Sequence, residues 1–382
     1  MKMTKFITPE IIFGNGSIEQ AGDSCLRLGA KKVLIVSDPG VIEAGWADKV
    51  ITTCEEAGLS FSTFFEVTTN PSDLEVQKGS QRYVENECDA VIGIGGGSVL
   101  DVAKSIAIIA TNGGEIAQYE GVNQIAHPLP PLVMISTTAG SGSEVSQFSV
   151  IVDSERKKKM TIVSKSLVPD ISITDPLTLM TKSSYLTAST GLDVLSHAIE
   201  SYVSVAATPL TDVQAKNAMK LVSSNLRPSV ASKTNEEAKL HMAMASLQAG
   251  IAFSNAILGA VHAISHAIGG RFELAHGVIN SVLLPYVMDF NLIACPKRYK
   301  EIAKAMGKDV TGLSDEEAGR EAIDMVRRLS KDIEAPHTLS ALGITEDDLP
   351  LIAEDAIEDA CMITNPRDIS TKDIIAICKQ AL

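Results

Sequence analysis

The first 175 residues alternate short apolar segments with segments of helical periodicity, and this alternation constrains the fold more than any other feature. Strands are predicted over residues 32–37, 59–67, 89–94 and 132–136. Helices are predicted near residues 43–58, 73–86 and 98–111. Short apolar strands that alternate with helices are typical of a mainly parallel, doubly wound sheet. Ligands of such sheets bind beyond the carboxyl ends of the strands.

The pattern changes after residue 175. Strand signals fade there, and long helical patterns continue to the end of the chain. We therefore expect an α/β domain over residues 1–185 and an all-α domain over residues 186–382. A length of 382 residues suits two domains of ordinary size.

Residues 240–270 contain no Asp, Glu, Lys or Arg and are numerous enough to span a bilayer. They include polar side chains that would be costly against lipid, among them Gln248, Asn255, His262 and His266. A helix that is apolar on all sides is also found at the centre of a large domain. We expect a buried core segment here and no membrane partner.

Composition excludes further classes of function. The chain carries 47 acidic against 33 basic residues, a formal charge of −14. Nucleic-acid binding needs a basic face, so we expect no nucleic-acid partner. The six cysteines form no CxxC pair, which disfavours a thiolate zinc site and suits a reducing compartment. The first residues show no secretory signal, and we expect a cytoplasmic location.

A glycine-rich turn joins the third predicted strand to the helix that follows. Gly95, Gly96 and Gly97 precede Ser98. Glycines at this position let the backbone approach a phosphate, which the free N–H groups of a helix N-terminus then bind. The G-x-G-x-x-G fingerprint is not met, since position 98 is Ser, and a tight structural turn is the alternative interpretation.

Polar side chains end two other predicted strands. Asp38 follows the first strand, where an acid can bind ribose hydroxyls and repel a 2′-phosphate, favouring NAD over NADP. A helix or turn cap is the alternative. Thr137, Thr138 and Ser141 follow the fourth strand and supply hydroxyl groups, for which ordinary turn chemistry is the alternative.

Five of the seven histidines lie between positions 197 and 276. Asp193 and His197 are four residues apart, as are His262 and His266, so each pair lies on one helix face. His276 precedes a predicted helix start. One carboxylate with three imidazoles would form a site for a divalent metal. The spacing leaves open which of His262 and His266 binds the metal, and a hydrogen-bonded core histidine is the alternative for each.

The same segments resemble a known family. Three segments resemble the metal-binding signatures of the iron-containing (group III) alcohol dehydrogenases. They are Gly191-Leu-Asp193-Val-Leu-Ser-His197-Ala-Ile-Glu200, Gly259-Ala-Val-His262-Ala-Ile-Ser-His266-Ala-Ile-Gly269 and His276-Gly277. Residues 13–16, 70–71, 95–104, 137–144 and 359–367 resemble other motifs of that family, in the same order. Within the family, the chain resembles the branch of 1,3-propanediol dehydrogenases and lactaldehyde reductases.

The resemblance implies a role for particular residues. The implied metal ligands are Asp193, His197, His262 and His276. A catalytic role near the nicotinamide is implied for His266. Cofactor contacts are implied for Asp38, Asn70, Gly96, Gly97, Ser98, Thr137, Thr138, Ser141 and Lys159. Phe253 and Cys361 match residues that line the substrate pocket, with core packing as the alternative. Ser141 departs from the commoner Thr, and Val99 and Leu100 stand where close relatives often have Pro.

The fold and function implied by the resemblance are specific. The N-terminal domain would be dehydroquinate synthase-like, with the site in the cleft between the domains. The activity would be hydride transfer between a primary alcohol, or its aldehyde, and NAD(H), with Fe²⁺ favoured as the metal and Zn²⁺ possible. A homodimer or a larger homo-oligomer is expected.

Three alternatives stay open at this point. The first is an NAD-dependent polyol or glycerol dehydrogenase. The second is a dehydroquinate synthase-like lyase, although its acidic substrate needs a cationic pocket and residues 240–270 are uncharged. The third is a non-catalytic NAD-sensing or assembly protein, against which the four intact metal positions argue.

Overall fold

The computed structural model describes residues 5–272 and 274–382. They form two compact units, one of Ile7–Lys182 and the other of Ser183–Leu382 together with the described residues before Ile7. The division lies three residues before the boundary at residue 185 that the sequence predicts. Each unit has the secondary structure that the change of sequence pattern at residue 175 indicates.

The first unit is built on two sheets. Its strands are β1 (Glu10–Phe13), β2 (Lys32–Val36), β3 (Ser60–Phe64), β4 (Ala90–Gly95), β5 (Gly121–Val122), β6 (Leu132–Ser136), β7 (Phe148–Asp153), β8 (Lys158–Val163) and β9 (Ile171–Thr174). The larger sheet has the order β1-β9-β6-β4-β2-β3, and all its pairings are parallel. In the smaller sheet β8 pairs with β5 in parallel and with β7 in antiparallel fashion.

The strand order reverses between β2 and β4. The chain moves from β2 outward to β3 and then returns to place β4 on the other side of β2. This arrangement opens a crevice at the carboxyl ends of β2 and β4, the place where open α/β sheets bind ligands. Asp38 and the glycine-rich turn lie at these two ends.

Four of the six strands of the larger sheet, β2, β3, β4 and β6, confirm the sequence prediction, whereas β1 and β9 were missed. Each of these two strands is only four residues long. Four residues contain too few alternations for periodicity to distinguish a strand from a loop. Pairing with neighbouring strands, which no local pattern encodes, decides their conformation.

Helices cover both faces of the larger sheet. They are α1 (Ala21–Arg27), α2 (Pro39–Glu43), α3 (Trp46–Glu56), α4 (Asp73–Glu85) and α5 (Gly97–Asn112). Successive residues of β2 point to opposite faces, so that Leu34 packs into the core with α4 and α5, and Ile35 into the core with α1 and α3. A strand buried on both faces must be apolar, as β2 is from Val33 to Val36.

The second unit is helical, and its described residues contain no strand. Its helices are α6 (Ser184–Val203), α7 (Pro209–Ala231), α8 (Glu236–Ala256), α9 (Ala260–Arg271), α10 (His276–Leu292), α11 (Pro296–Ala305), α12 (Asp315–Asp332), α13 (Leu349–Ile357) and α14 (Thr371–Ala381). The predicted fold class, an α/β domain followed by an all-α domain, is confirmed.

The uncharged residues 240–270 form most of α8 and α9, which meet at an angle of 98°. No single helix among the described residues is long and apolar enough to cross a membrane, although this bent pair passes a test of length and composition alone. Most residues of both helices are buried within the protein.

Candidate active site

The α6 helix carries the first candidate metal ligands. Its N-terminus is capped by Ser183, whose hydroxyl accepts a hydrogen bond from the N–H of Leu186 at 3.1 Å. Asp193 and His197 lie one turn apart on this helix, and both are buried. The predicted i, i+4 pairing is therefore present, with 3.9 Å between Asp193 Oδ1 and His197 Nε2.

The helical unit brings all four candidate ligands together. One ligand atom each of Asp193, His262 and His276 lies within 4.8 Å of the others. The ring centroid of His262 is 4.6 Å from that of His197 and 5.2 Å from that of His276. A carboxylate and three imidazoles so arranged offer a donor set that suits Fe²⁺ or Zn²⁺.

The electrostatics of this cluster favour an ionised carboxylate. Burial alone would raise the pKa of Asp193, but the imidazoles of His197, His262 and His276 outweigh it and hold the pKa well below its usual range. A buried anion among imidazoles is ready to bind a cation, because nothing needs to remove its proton first.

Glu200 fixes the orientation of His262. Its Oε2 lies 2.6 Å from Nδ1 of His262, and its Oε1 accepts a hydrogen bond from the backbone N–H of Val261 at 2.7 Å. An ionised carboxylate can only accept, so Nδ1 carries the proton and Nε2 faces the cluster. Burial lowers the pKa of His262, but the bonds to Asp193 and Glu200 raise it overall to about 9.

Helix α10 supplies His276 and a neighbouring amide. Asn280, one turn after His276, donates from Nδ2 to Asp193 Oδ1 at 2.7 Å, and the same nitrogen is 3.1 Å from His262 Nε2. A Cβ on Gly277 would lie 2.6 Å from the carbonyl oxygen of Ser189. Only glycine lets α10 approach α6 this closely, which explains the residue that follows His276.

The remaining site candidates in this unit surround the cluster. Phe253 stacks on His197 with 4.5 Å between ring centroids, and His266 stacks on His276 at 5.1 Å. His266 Nδ1 is 2.8 Å from Asp359 Oδ2. Burial would raise the pKa of Asp359, but the His266 imidazole lowers it to about 2. Cys361, which is buried, follows Asp359 in the same turn.

A strained bend between α8 and α9 sets the direction of α9. Ile257, between α8 and α9, has a φ of 60°, which β-branched residues rarely adopt. Hydrogen bonds hold the residues on either side: the hydroxyl of Ser204 donates to the carbonyl of Ala256 at 2.5 Å, and that of Thr364 to the carbonyl of Leu258 at 2.6 Å. The bend points the N-terminus of α9 at Glu200, which places His262.

The first unit contains the candidate cofactor residues at the carboxyl ends of the large sheet. Helix α5 begins at Gly97 with no side-chain cap, so its first N–H groups are available to an anion. A Cβ on Gly97 would lie 2.7 Å from Cβ of Ser141. The glycine therefore permits the turn after β4 to lie against the turn after β6.

Two further contacts bring the other candidates to the same edge. Ser98 donates its hydroxyl proton to the carbonyl of Thr69 at 2.7 Å, which places Asn70 beside the start of α5. Asp38 accepts a hydrogen bond from the N–H of Val41 at 3.0 Å and so caps α2. The cap interpretation of Asp38 is correct, and it leaves room for a second role of the carboxylate.

The hydroxyl groups after β6 have different surroundings. Thr137 Oγ1 is buried and has no hydrogen-bond partner among the described residues. Thr138 is half-buried, with its Cγ2 near Gly96. Lys159 lies on β8 opposite Val152, and its charge acts on Asp101 of α5. The described contacts thus bring Gly96, Gly97, Ser98, Thr138 and Ser141 together at the start of α5.

Comparison with known proteins identifies the family. Residues 8–176 match the family described as iron-containing alcohol dehydrogenase, and residues 187–382 match the C-terminal part of the Fe-containing alcohol dehydrogenase family. The chain is 43% identical over 383 residues to the 1,3-propanediol dehydrogenase of Klebsiella pneumoniae, covering 100% of this chain and 99% of that protein. This chain belongs to the iron-containing alcohol dehydrogenase family.

Two further comparisons agree with this family assignment. The chain is 42% identical to the NAD-dependent methanol dehydrogenase of Bacillus methanolicus, with 99% of both chains covered. A crystal structure of a 1,3-propanediol oxidoreductase superposes with a TM-score of 0.98 at 43% identity and covers both chains completely. The predicted class, an oxidoreductase that acts on alcohols, is confirmed.

Sequence reasoning missed the roles of three residues of this alcohol dehydrogenase, of which Glu200 and Asn280 contact the candidate metal ligands. Glu200 was quoted within a motif but given no role, although it lies three residues after His197 and seven after Asp193, on the same helix face. Asn280 lies four residues after His276. Periodicity shows that such residues share a face, but not that they touch the ligands.

Buried Lys104 was the third omission. Its Nζ donates to the carbonyls of Ser143, Ser146 and Phe148 at 2.6–2.9 Å. Burial lowers the pKa of Lys104 to about 8. These hydrogen bonds hold the turn after β6 against α5. The sequence offers only one indication of this role, the position of Lys104 in the helix that follows the glycine-rich turn.

Proposed function

We propose that this chain is an NAD-dependent dehydrogenase of primary alcohols that holds Fe²⁺ with Asp193, His197, His262 and His276. The observation that carries the proposal is the buried, ionised Asp193 among three imidazoles. Three nitrogens and one oxygen fit a divalent cation of this kind. The donor set also accepts Zn²⁺.

The proposed metal ion and cofactor would supply the chemistry of hydride transfer. When bound, the cation would act as a Lewis acid towards the alcohol oxygen, and NAD⁺ would accept the hydride. The protein residues orient these groups. Glu200 keeps Nε2 of His262 directed at the cluster, and Asp359 holds Nδ1 of His266.

His266 is the proposed acid–base residue. Since Asp359 holds its Nδ1, proton exchange with the substrate side falls to Nε2. An imidazole can both accept and donate a proton, as such exchange requires. Phe253 and Cys361 are the proposed pocket walls, and both are buried apolar groups that would exclude water.

The cofactor is proposed to bind at the edge that carries Asp38 and Gly97. The uncapped N-terminus of α5 would bind the pyrophosphate. Asp38 would accept hydrogen bonds from the adenosine ribose and repel a 2′-phosphate, which favours NAD. The hydroxyls of Thr137, Thr138 and Ser141, together with Asn70, Ser98 and Lys159, complete the proposed contacts.

The names of the relatives support a short alcohol as substrate. They act on 1,3-propanediol and methanol by name. We propose an alcohol of this size, a cytoplasmic location and a homodimer or larger homo-oligomer. Polyol oxidation is the second candidate, because 1,3-propanediol itself carries two hydroxyl groups.

The deciding experiment is an anaerobic assay. Protein loaded with Fe²⁺, and separately with Zn²⁺, is mixed with NAD⁺ and 1,3-propanediol, 1-propanol, methanol or glycerol. We expect NADH absorbance with a primary alcohol and Fe²⁺. No absorbance across the alcohols, and no NADH consumption with the matching aldehydes, would refute the proposal.

Metal analysis tests the ligand assignment separately. His262→Ala should lose the bound metal, because a buried ligand atom disappears. The control is His337→Ala, which changes an exposed histidine. Normal metal content in His262→Ala would show that the assignment is wrong.

A further inference from the structure

A second group of potential metal ligands lies next to the first and shares no residue with it. One ligand atom each of His266, Asp359 and Cys361 lies within 4.8 Å of the others. His266 Nδ1 is 2.8 Å from Asp359 Oδ2, and Asp359 Oδ1 accepts a hydrogen bond from the backbone N–H of Cys361 at 2.8 Å. The turn after α13 therefore holds the carboxylate and the thiol together against α9.

The spacing suits a tetrahedral cation. With metal–sulfur bonds of about 2.3 Å and metal–nitrogen or metal–oxygen bonds of about 2.0–2.2 Å, neighbouring ligand atoms lie roughly 3.4–3.6 Å apart. The three atoms therefore need shifts of about 1 Å or less to reach that geometry.

We propose that His266, Asp359 and Cys361 form a second divalent-cation site that prefers Zn²⁺ to Fe²⁺ and Mg²⁺. Sulfur is the deciding ligand, since thiolates select zinc and cobalt over harder cations. Three protein ligands leave the fourth position of the cation for water.

The cation binds in exchange for protons. Burial and the nearby Asp359 carboxylate raise the pKa of the Cys361 thiol well above its usual value, so the thiol keeps its proton until a cation takes its place. The sulfur then forms a bond to the cation and the proton leaves to solvent, with no oxidation or reduction. Because the proposed acid–base role of His266 needs its imidazole free, occupancy should inhibit alcohol oxidation. That consequence alone rests on the proposed function.

Cobalt distinguishes the two sites by spectroscopy. The first group contains no sulfur, so Co²⁺ bound there gives no sulfur-to-cobalt charge transfer. The experiment adds Co²⁺ to the full-length protein in steps and follows near-ultraviolet absorbance and bound metal. We expect a first equivalent without the charge-transfer band and a second equivalent with it. The absence of the band at a several-fold excess of Co²⁺ would overturn the proposal without any variant.

Substitutions assign the band to the residue. Cys361→Ser should lose the band and the second equivalent while keeping the first, which also shows that the variant is folded. Cys295→Ser, at the one cysteine that is not fully buried, should keep the band. A band that survives in Cys361→Ser would refute the assignment.

An activity measurement separates this inference from the proposed function. With the first site loaded with Fe²⁺, added Zn²⁺ should lower NADH formation in the wild-type protein at concentrations where Mg²⁺ has no effect. His262→Ala, which lacks the first site, should still show the cobalt band. If the protein had no dehydrogenase activity, the cobalt titration would still test the second site. If the charge-transfer band were missing, the activity assay would still test the proposed dehydrogenase function.

Discussion

Glu200 and His262 lie 62 residues apart in the sequence and on two different helices, yet Oε2 of the first is 2.6 Å from Nδ1 of the second.

 Oε1 of the same carboxylate accepts a hydrogen bond from the backbone N–H of Val261 at 2.7 Å. Both side chains are almost fully buried. One carboxylate therefore caps the start of α9 and orients the imidazole that this helix carries. A metal ligand held in this way keeps one tautomer and one ring direction.

Replacing Glu200 by Gln should weaken metal binding. The amide keeps the shape of the side chain but loses the charge that holds Nδ1–H of His262. Loss of such an outer partner typically lowers metal affinity about 10–100-fold. The measurement is competition of the purified variant against a chelator, with bound Fe²⁺ or Zn²⁺ read by elemental analysis.

The matched control is Glu354→Gln, an exposed glutamate on α13. It should bind metal as the wild-type protein does. Equal affinities in the two variants would show that Glu200 serves only to cap α9.

Asp38→Asn should relax the preference for NAD over NADP. The carbonyl oxygen of Asn still accepts the hydrogen bond from Val41, so α2 keeps its cap. The negative charge that would repel a 2′-phosphate is gone. We expect the ratio of kcat/KM for NADP to that for NAD to rise about tenfold, equal to ~1.4 kcal/mol.

Asp38→Ala separates the two roles of this residue. It removes the cap as well as the charge, so it should also cost about 0.5–2 kcal/mol in stability. An unchanged cofactor ratio in both variants would leave Asp38 with the cap alone.

Different physical information decided the different parts of the structure. Strands β2, β4 and β6 follow from short apolar runs, such as the one that contains Leu34 and Ile35, and the helix faces follow from hydrophobic periodicity. Spacing did not distinguish His262 from His266, because both lie on one face of α9. In the structure a ligand atom of His262 lies near those of Asp193 and His276, whereas one of His266 lies near those of Asp359 and Cys361. Contacts of this kind arise only when helices pack, and no local pattern contains them.

Gly96→Ala should weaken NAD binding without destabilising the fold. Gly96 has φ −78° and ψ −175°, which any residue can adopt. An added Cβ would lie 3.4 Å from Cγ2 of Thr138, an ordinary contact. The methyl group would instead face the proposed pyrophosphate, so we expect the Kd for NAD to rise about tenfold or more with little change in Tm.

Gly97→Ala provides the contrast. Its Cβ would clash with Ser141 at 2.7 Å, so both Tm and NAD affinity should fall. Calorimetry gives the binding constants and the melting temperatures on the same samples. Wild-type NAD affinity in Gly96→Ala would place the pyrophosphate elsewhere.

Glu144→Gln should stabilise the protein at pH 8 more than at pH 5. Burial raises the pKa of Glu144 to about 7 in the folded protein, against 4.5 as the usual value. Between pH 4.5 and 7 the folded chain therefore holds a proton that the unfolded chain has lost, so the stability contributed by this group falls as the pH rises. Gln cannot ionise and avoids this loss, so we expect the stability of the variant relative to the wild type to grow by about 1–3 kcal/mol across the interval.

The measurement is the difference in unfolding free energy between variant and wild type at several pH values, in which the titration of all other groups largely cancels. The exposed Glu115→Gln should give a flat difference. A flat curve for Glu144→Gln as well would mean that Lys104, whose charge acts on Glu144 inside the protein, fully offsets the cost of burying the carboxylate.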